Sequence, residues 1–225
     1  MISKASRARR FRFGKNWKDF IANLPEEKIR GAEESLIEML EMKDWSSLKF
    51  LDVGSGSGLF SLAARNLGAE VHSFDFDHDS VWCTRELKER FRPNDDLWSV
   101  EQGSVLDASY VNSLGSFDIV YSWGVLHHTG DLHSGLTNVV PLVKGNGLLF
   151  IALYNHQPLA SKYWAFVKKT YNDYLLARIC WIIAHSVYPL LISIIAGKIR
   201  ANKAPRGMSR WYDLIDWLGG YPFET

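Results

Sequence analysis

Apolar residues in this chain recur first at helical spacing and then in short continuous runs. Ile29, Ala32, Leu36, Ile37 and Leu40 lie on one helical face, and Pro25 suits a first helical turn, so a helix is predicted from about residue 25 to 42. A short helix or turn is predicted ahead of it, over Trp17 to Leu24. From Phe50 the pattern changes to short apolar runs over 50–53, 70–74, 117–123 and 148–153, with helix-like stretches between them. Continuous apolar runs alternating with helices predict a parallel sheet covered on both faces, an α/β doubly wound fold. After Asn155 the strands stop. Residues 157–178 read as an amphipathic helix carrying Tyr163, Trp164, Phe166, Tyr171 and Tyr174. Residues 179–196 are almost continuously apolar, broken by His185, Ser186, Pro189 and Ser193, which predicts a helix pair kinked at Pro189. Tyr212 to Leu218 read as helix ended by Gly219-Gly220.

Between the first two runs lies Leu51-Asp52-Val53-Gly54-Ser55-Gly56-Ser57-Gly58. This is a strand, a tight turn and a helix start. Side chains at Gly54, Gly56 or Gly58 would hold the backbone away from a ligand lying across the turn. Asp75 ends the second strand, twenty-one positions after Gly54, where a carboxylate can accept from both hydroxyls of a ribose. The two features together predict an adenosine-containing cofactor. Position 59 is Leu, so the G-x-G-x-x-G of dinucleotide sites fails at its third glycine. A hydrolase reading, with Ser55 or Ser57 as nucleophile, leaves Asp75 unexplained.

The spacing Asp52-x-Gly54-x-Gly56-x-Gly58 resembles the nucleotide loop of class I S-adenosylmethionine-dependent methyltransferases. Val100 to Asp107 resembles that family's third strand and adenine loop, with Ser104 where many relatives carry Asp. Phe117 to Trp123 resembles the fourth strand, and Gly145-Asn146-Gly147 with Leu148 to Leu153 the turn and fifth strand. The likeness covers about residues 48–155 and is nearest to the quinone and small-molecule branch. Phe11 to Trp17 and Met208-Ser209-Arg210-Trp211 also resemble parts of an uncharacterised bacterial subgroup. The resemblance implies a Rossmann-like fold, S-adenosylmethionine as cofactor and a small-molecule substrate. It also implies contacts from Asp52, Gly54, Ser55, Gly56, Gly58, Asp75, Phe76, Ser104, Val105, Ser122 and Trp123. The family's last two strands form an antiparallel hairpin, which is missing from the predicted elements. One methyltransferase domain is expected over 1–225. It divides into an N-terminal arm and helix (1–45), a cofactor-binding core (46–155) and a basic, aromatic helical lid or insertion (156–210).

Charge sharpens this division. The chain has 26 basic and 25 acidic residues. Lys4, Arg7, Arg9, Arg10, Arg12 and Lys15 crowd the first fifteen positions without an acid, and residues 156–210 carry nine Lys or Arg against Asp173 alone. The core is therefore acidic and its two appendages are basic. Either the appendages pack on the core or are simply solvated, or they meet an anionic partner: a membrane surface, an acidic substrate or nucleic acid. Lys198, Arg200, Lys203 and Arg206 after the apolar stretch suit lipid headgroups, so peripheral membrane contact is retained beside a substrate-covering helix pair and a true span. Nucleic acid ranks lower, because no RNA-binding motif is present. Cys83 and Cys180 have no metal spacing and read as buried or half-buried thiols of a reducing cytoplasm. No signal-peptide stretch opens the sequence.

Methyl transfer needs an aligned nucleophile and, for a protonated one, a base. His127 lies five residues beyond Ser122, where plant phenolic O-methyltransferases place a catalytic histidine ahead of an acid at the distance of Asp131. His127 is the expected base and His128 the alternative. Trp17, Tyr154 and Asn155 are candidate substrate-binding residues. His72, His78, His133 and His156 lack partners at metal-ligand spacing, and no metal is expected. Two further readings keep the cofactor: RNA methylation by way of the basic arm, and cofactor binding without turnover.

Overall fold

The computed structural model describes residue 11, residues 13–195 and residues 210–225. Most of the expected basic arm lies outside them, as do Lys198, Arg200, Lys203, Arg206 and Met208-Ser209. The chain forms two compact units, Arg12–Tyr154 and Met1–Phe11 with Asn155–Thr225.

The first unit is a five-stranded, wholly parallel sheet in the order β3-β2-β1-β4-β5, so the predicted doubly wound arrangement is what the chain forms. The strands are β1 (Lys49–Val53), β2 (Glu70–Asp75), β3 (Trp98–Gln102), β4 (Phe117–Trp123) and β5 (Val143–Ala152). Helices α1 (Gly14–Ala22), α2 (Glu26–Leu40), α3 (Leu59–Leu67), α4 (His78–Phe91), α5 (Ala108–Ser113) and α6 (Leu132–Val139) connect and cover them. Strand order reverses between β1 and β4, and in such sheets ligands bind beyond the strand C-termini at that reversal.

α2 begins at Pro25, whose extended backbone caps it, with Glu26 and Glu27 in the first turn against the positive end of the helix. Its predicted apolar face is its buried face: Ile29, Ala32, Leu36 and Leu40 pack with Phe50, Leu62, Ala64 and Trp45. A second cluster fills the other side of the sheet around Leu51, Val53, Phe74, Val120 and Leu126. The expected turn at Gly145-Asn146-Gly147 lies inside β5 instead. Its place is taken by a register shift, with Phe117 opposite Val143 and Ile119 opposite Leu148. Lys144 closes the shift by pairing with Asp118 at 2.8 Å.

The second unit is helical: α7 (Pro158–Asp173), α8 (Leu175–Ile195) and α9 (Arg210–Gly219). The break between α7 and α8 falls at Tyr174, which is extended, and α8 runs through Pro189, so the helix pair is not divided there as expected. The two helices are antiparallel, since the Tyr163 hydroxyl meets His185 Nε2 at 3.2 Å and Trp181 donates to Thr170 at 2.9 Å. No described helix is long and apolar enough to cross a membrane. Lys168 is fully buried, donates to the Trp217 carbonyl and lies over the Trp217 and Phe223 rings. Burial draws its pKa down to about 8. Cys83 is buried, whereas Cys180 is exposed, contrary to the expectation for it.

Leu36 has no exposed surface and sits at the middle of the α2 face. Leu36→Ala is expected to lower unfolding free energy by about 2 to 5 kcal/mol, read from the urea midpoint, because the site leaves a cavity against β1.

Candidate active site

The turn after β1 uses all three glycines in the left-handed region, with φ of 81° at Gly54, 56° at Gly56 and 80° at Gly58. Two of them also meet close neighbours. A Cβ at Gly54 would lie 2.4 Å from Val125, and one at Gly58 would lie 2.8 Å from the Thr84 backbone. Gly56 faces the indole of Trp17 at 3.4 Å from where a Cβ would stand, so Trp17 sits over the turn. Gly54 and Gly58 are therefore required twice, by backbone angle and by surroundings, and Gly56 by its backbone angle.

The turn is tied to the end of β2. Gly54 N–H and Ser55 N–H both donate to the Phe74 carbonyl, at 2.9 and 3.1 Å. Gly56 N–H donates to Asp75 Oδ2 at 3.0 Å, and Asp77 N–H donates to Asp75 Oδ1 at 2.8 Å. The predicted ribose acid is thus oriented from both sides by backbone donors. Burial raises its pKa to about 6, against the lowering effect of those hydrogen bonds. Asp77 caps α4 by accepting from Asp79 N–H at 3.1 Å, and it also accepts from Gly14 N–H at 3.0 Å. One acid therefore anchors the start of α1 beside the site, and Lys18 adds a 2.8 Å ion pair to Asp79.

Asp52 lies next to Ser73 in the register of β1 and β2. A line of donors runs to it through the core. Trp98 Nε1 donates to Ser73 Oγ at 2.9 Å, Ser73 Oγ donates to Ser61 Oγ at 2.8 Å, and Ser61 Oγ donates to Asp52 Oδ2 at 2.5 Å. Burial lifts the Asp52 pKa to about 7; the Ser61 hydrogen bond opposes the rise, and the Asp75 charge adds to it. None of Ser61, Ser73 or Trp98 was singled out from sequence.

Several other predicted residues have their side chains committed within the fold. Ser55 Oγ shares a 2.9 Å hydrogen bond with Thr84, and Ser122 Oγ donates to the Val53 carbonyl at 3.1 Å. Ser104 Oγ accepts from Leu106 N–H at 3.3 Å, Val105 is buried, and the Phe76 carbonyl accepts from Gln102. Trp123, 42% exposed, stacks on Phe150 with ring centres 5.7 Å apart. After β4 a tight helical turn, Leu126–His128, carries both histidines. His127 is buried, its ring 3.8 Å from that of Tyr154 and 4.4 Å from that of His128. His128 is half-buried and 5.3 Å from the Phe13 ring. Tyr154 closes the first unit, and Asn155 opens the second.

A glycine cradle against an oriented carboxylate, at the β1/β4 reversal, suits an adenosine-bearing cofactor. Comparison with known proteins agrees. Residues 51–149 match the family model described as a methyltransferase domain. A ubiquinone biosynthesis O-methyltransferase from Glaesserella parasuis is 31% identical over 48% of this chain and 45% of its own length. A ribosomal protein L11 methyltransferase from Bacillus cereus is 32% identical over 40% of this chain and 33% of its own. A solved structure of a putative S-adenosyl-L-methionine-dependent methyltransferase from Methanococcus maripaludis shares the fold. Its TM-score is 0.51 at 16% identity, covering 84% of this chain and 85% of that one. The methyltransferase-domain match over residues 51–149 and these relatives support membership in the class I S-adenosylmethionine-dependent methyltransferase superfamily. The matched stretch spans under half the length of those curated relatives.

Asp52 and Asp75 hold protons more tightly in the folded state than carboxyls of an unfolded chain. Their contribution to stability is therefore full below about pH 4 and is lost as pH rises through 6 to 7. Asp52→Asn keeps the acceptor for Ser61 and removes one titration. The ligand-free variant is expected to lose less urea resistance than the parent between pH 5 and 8, and parallel curves would refute the assignment.

Proposed function

We propose that this protein transfers a methyl group from S-adenosylmethionine to a small, lipophilic or quinone-like acceptor. The observation that carries the proposal is Asp75, held by Gly56 and Asp77 N–H groups across the glycine turn. When bound, the cofactor supplies an electrophilic methyl carbon on a sulfonium. Asp75 would receive the ribose hydroxyls, while Asp52 provides negative charge on the side of the turn where an ammonium group is favoured. Trp17 over Gly56 helps keep water from the turn. The quinone-like acceptor is supported by the ubiquinone-biosynthesis relative alone, and the L11 relative acts on a different class of substrate by its name.

Loss of the acceptor's proton falls to the pair beyond β4. His127 is the proposed base, with its ring plane braced between Tyr154 and His128. His128, closer to solvent, is the alternative. For a hydroxyl acceptor, the His127 imidazole would take the hydroxyl proton as the acceptor oxygen displaces the sulfonium sulfur from the methyl carbon that the cofactor would supply. Tyr154 would act through its stacking on His127, as a positioning residue.

Asp75→Ala is expected to weaken S-adenosylmethionine binding more than ten-fold by calorimetry, since hydrogen bonds to a charged group contribute about 1.5 to 3 kcal/mol each. Unchanged affinity would remove Asp75 from the site. His127→Ala is expected to lower turnover on a hydroxyl acceptor by on the order of a hundred-fold while cofactor affinity stays constant. Wild-type turnover in the His127,His128 double alanine variant would leave alignment as the sole source of rate.

A further inference from the structure

The helical second unit is amphipathic on its outside as well as its inside. The inward side of α8 is taken by Trp181, Ile182 and His185, which pack on α7 residues. Its outward side carries Leu175, Leu176, Ile179 and Ile183, which are 70%, 78%, 47% and 54% exposed. At about 100° per residue these four fall within an arc of about 100°. α7 adds Leu159, 84% exposed, and at its border with α8 Tyr163 and Phe166, which keep 45% and 59% of their surface exposed beside their ring contacts with Trp181. Lys162 and Lys169 are exposed along one border of these residues and make no ion pair among the described residues. Such surface is costly to leave in water and exceeds the scattered apolar residues of an ordinary surface.

We infer that this outer face of α7 and α8 docks on an anionic lipid surface. The occupant is chosen by charge. Residues 156–210 carry nine basic residues and one acid; with Lys168 buried, eight basic residues remain, a bias that a purely apolar partner does not need and that an anionic headgroup layer rewards. The composition of the face agrees with an interfacial helix, in which apolar side chains enter the acyl boundary and lysines at the rim reach the headgroups. Neither helix is apolar enough to span the bilayer, so the contact lies in the plane of the surface. The inference stands apart from the methyl-transfer reading, because it uses none of the residues assigned to the cofactor or acceptor.

The test is sedimentation of the full chain with vesicles of phosphatidylcholine, alone or mixed with phosphatidylglycerol. Partitioning is expected to be on the order of a hundred-fold stronger with the anionic lipid and to weaken with salt. Leu176→Glu with Ile179→Glu, and separately Lys162→Glu with Lys169→Glu, should each reduce it at least about ten-fold. Cofactor affinity should not change in either variant, which shows that the first unit remains folded. If the α8 variant does not fold, Leu159→Glu with Phe166→Glu reads the same face from α7. Absence of binding to anionic vesicles overturns the inference, as does equal binding to both vesicle types. So does a dimer that becomes monomeric in the α8 variant with vesicle binding unchanged, which would make the face a contact between copies.

Discussion

The hydrogen bond from Gly56 N–H to Asp75 joins the two halves of the site's chemistry. A carboxylate at a strand end would otherwise rotate freely and turn toward water. Here one oxygen is held by the turn after β1 and the other by the start of α4, so the acid has a single orientation before any ligand arrives. Pre-set orientation lowers the ordering cost of binding. The same bond holds the glycine turn down on β2, and the three glycines supply the positive φ that the turn needs. Loss of Asp75 would therefore loosen the cradle as well as remove an acceptor.

Two carboxyls raised toward neutrality, Asp52 and Asp75, lie in the same small region and repel one another. A ligand bringing positive charge relieves that repulsion. The serine and tryptophan donors behind Asp52 have the complementary effect of favouring its ionised form from the protein side. Buried polar groups survive in a core only when fully partnered, and this line runs in one donor direction from Trp98 to Asp52.

The sheet was legible because its strands are buried on both faces and read as continuous apolar runs. The glycine turn and Asp75 were legible because few other folds need three glycines and an acid at that spacing. Ser61, Ser73 and Trp98 were not, since a serine in a strand looks like any small residue until its partners, twelve and twenty-five positions away, are known. The turn expected at Gly145 to Gly147 became part of β5 because Lys144 and Asp118 hold the strand in pairing across a register shift, a contact between segments twenty-six residues apart. The helix break falls at Tyr174, whose backbone is extended, and not at Pro189, which the next helix runs through.

The strand order carries a consequence for how the molecule assembles. β1 pairs with β2 across twenty-one positions, from Phe50 to Val71, but with β4 across sixty-nine, from Phe50 to Ile119. Closing the longer loop costs more chain entropy, and such distant pairings slow folding. The β1–β4 seam therefore forms after its neighbours, and the crevice proposed for the cofactor opens at that seam. A ligand bound there grips the junction made last, so it should slow unfolding by holding together the two halves of the sheet that separate first.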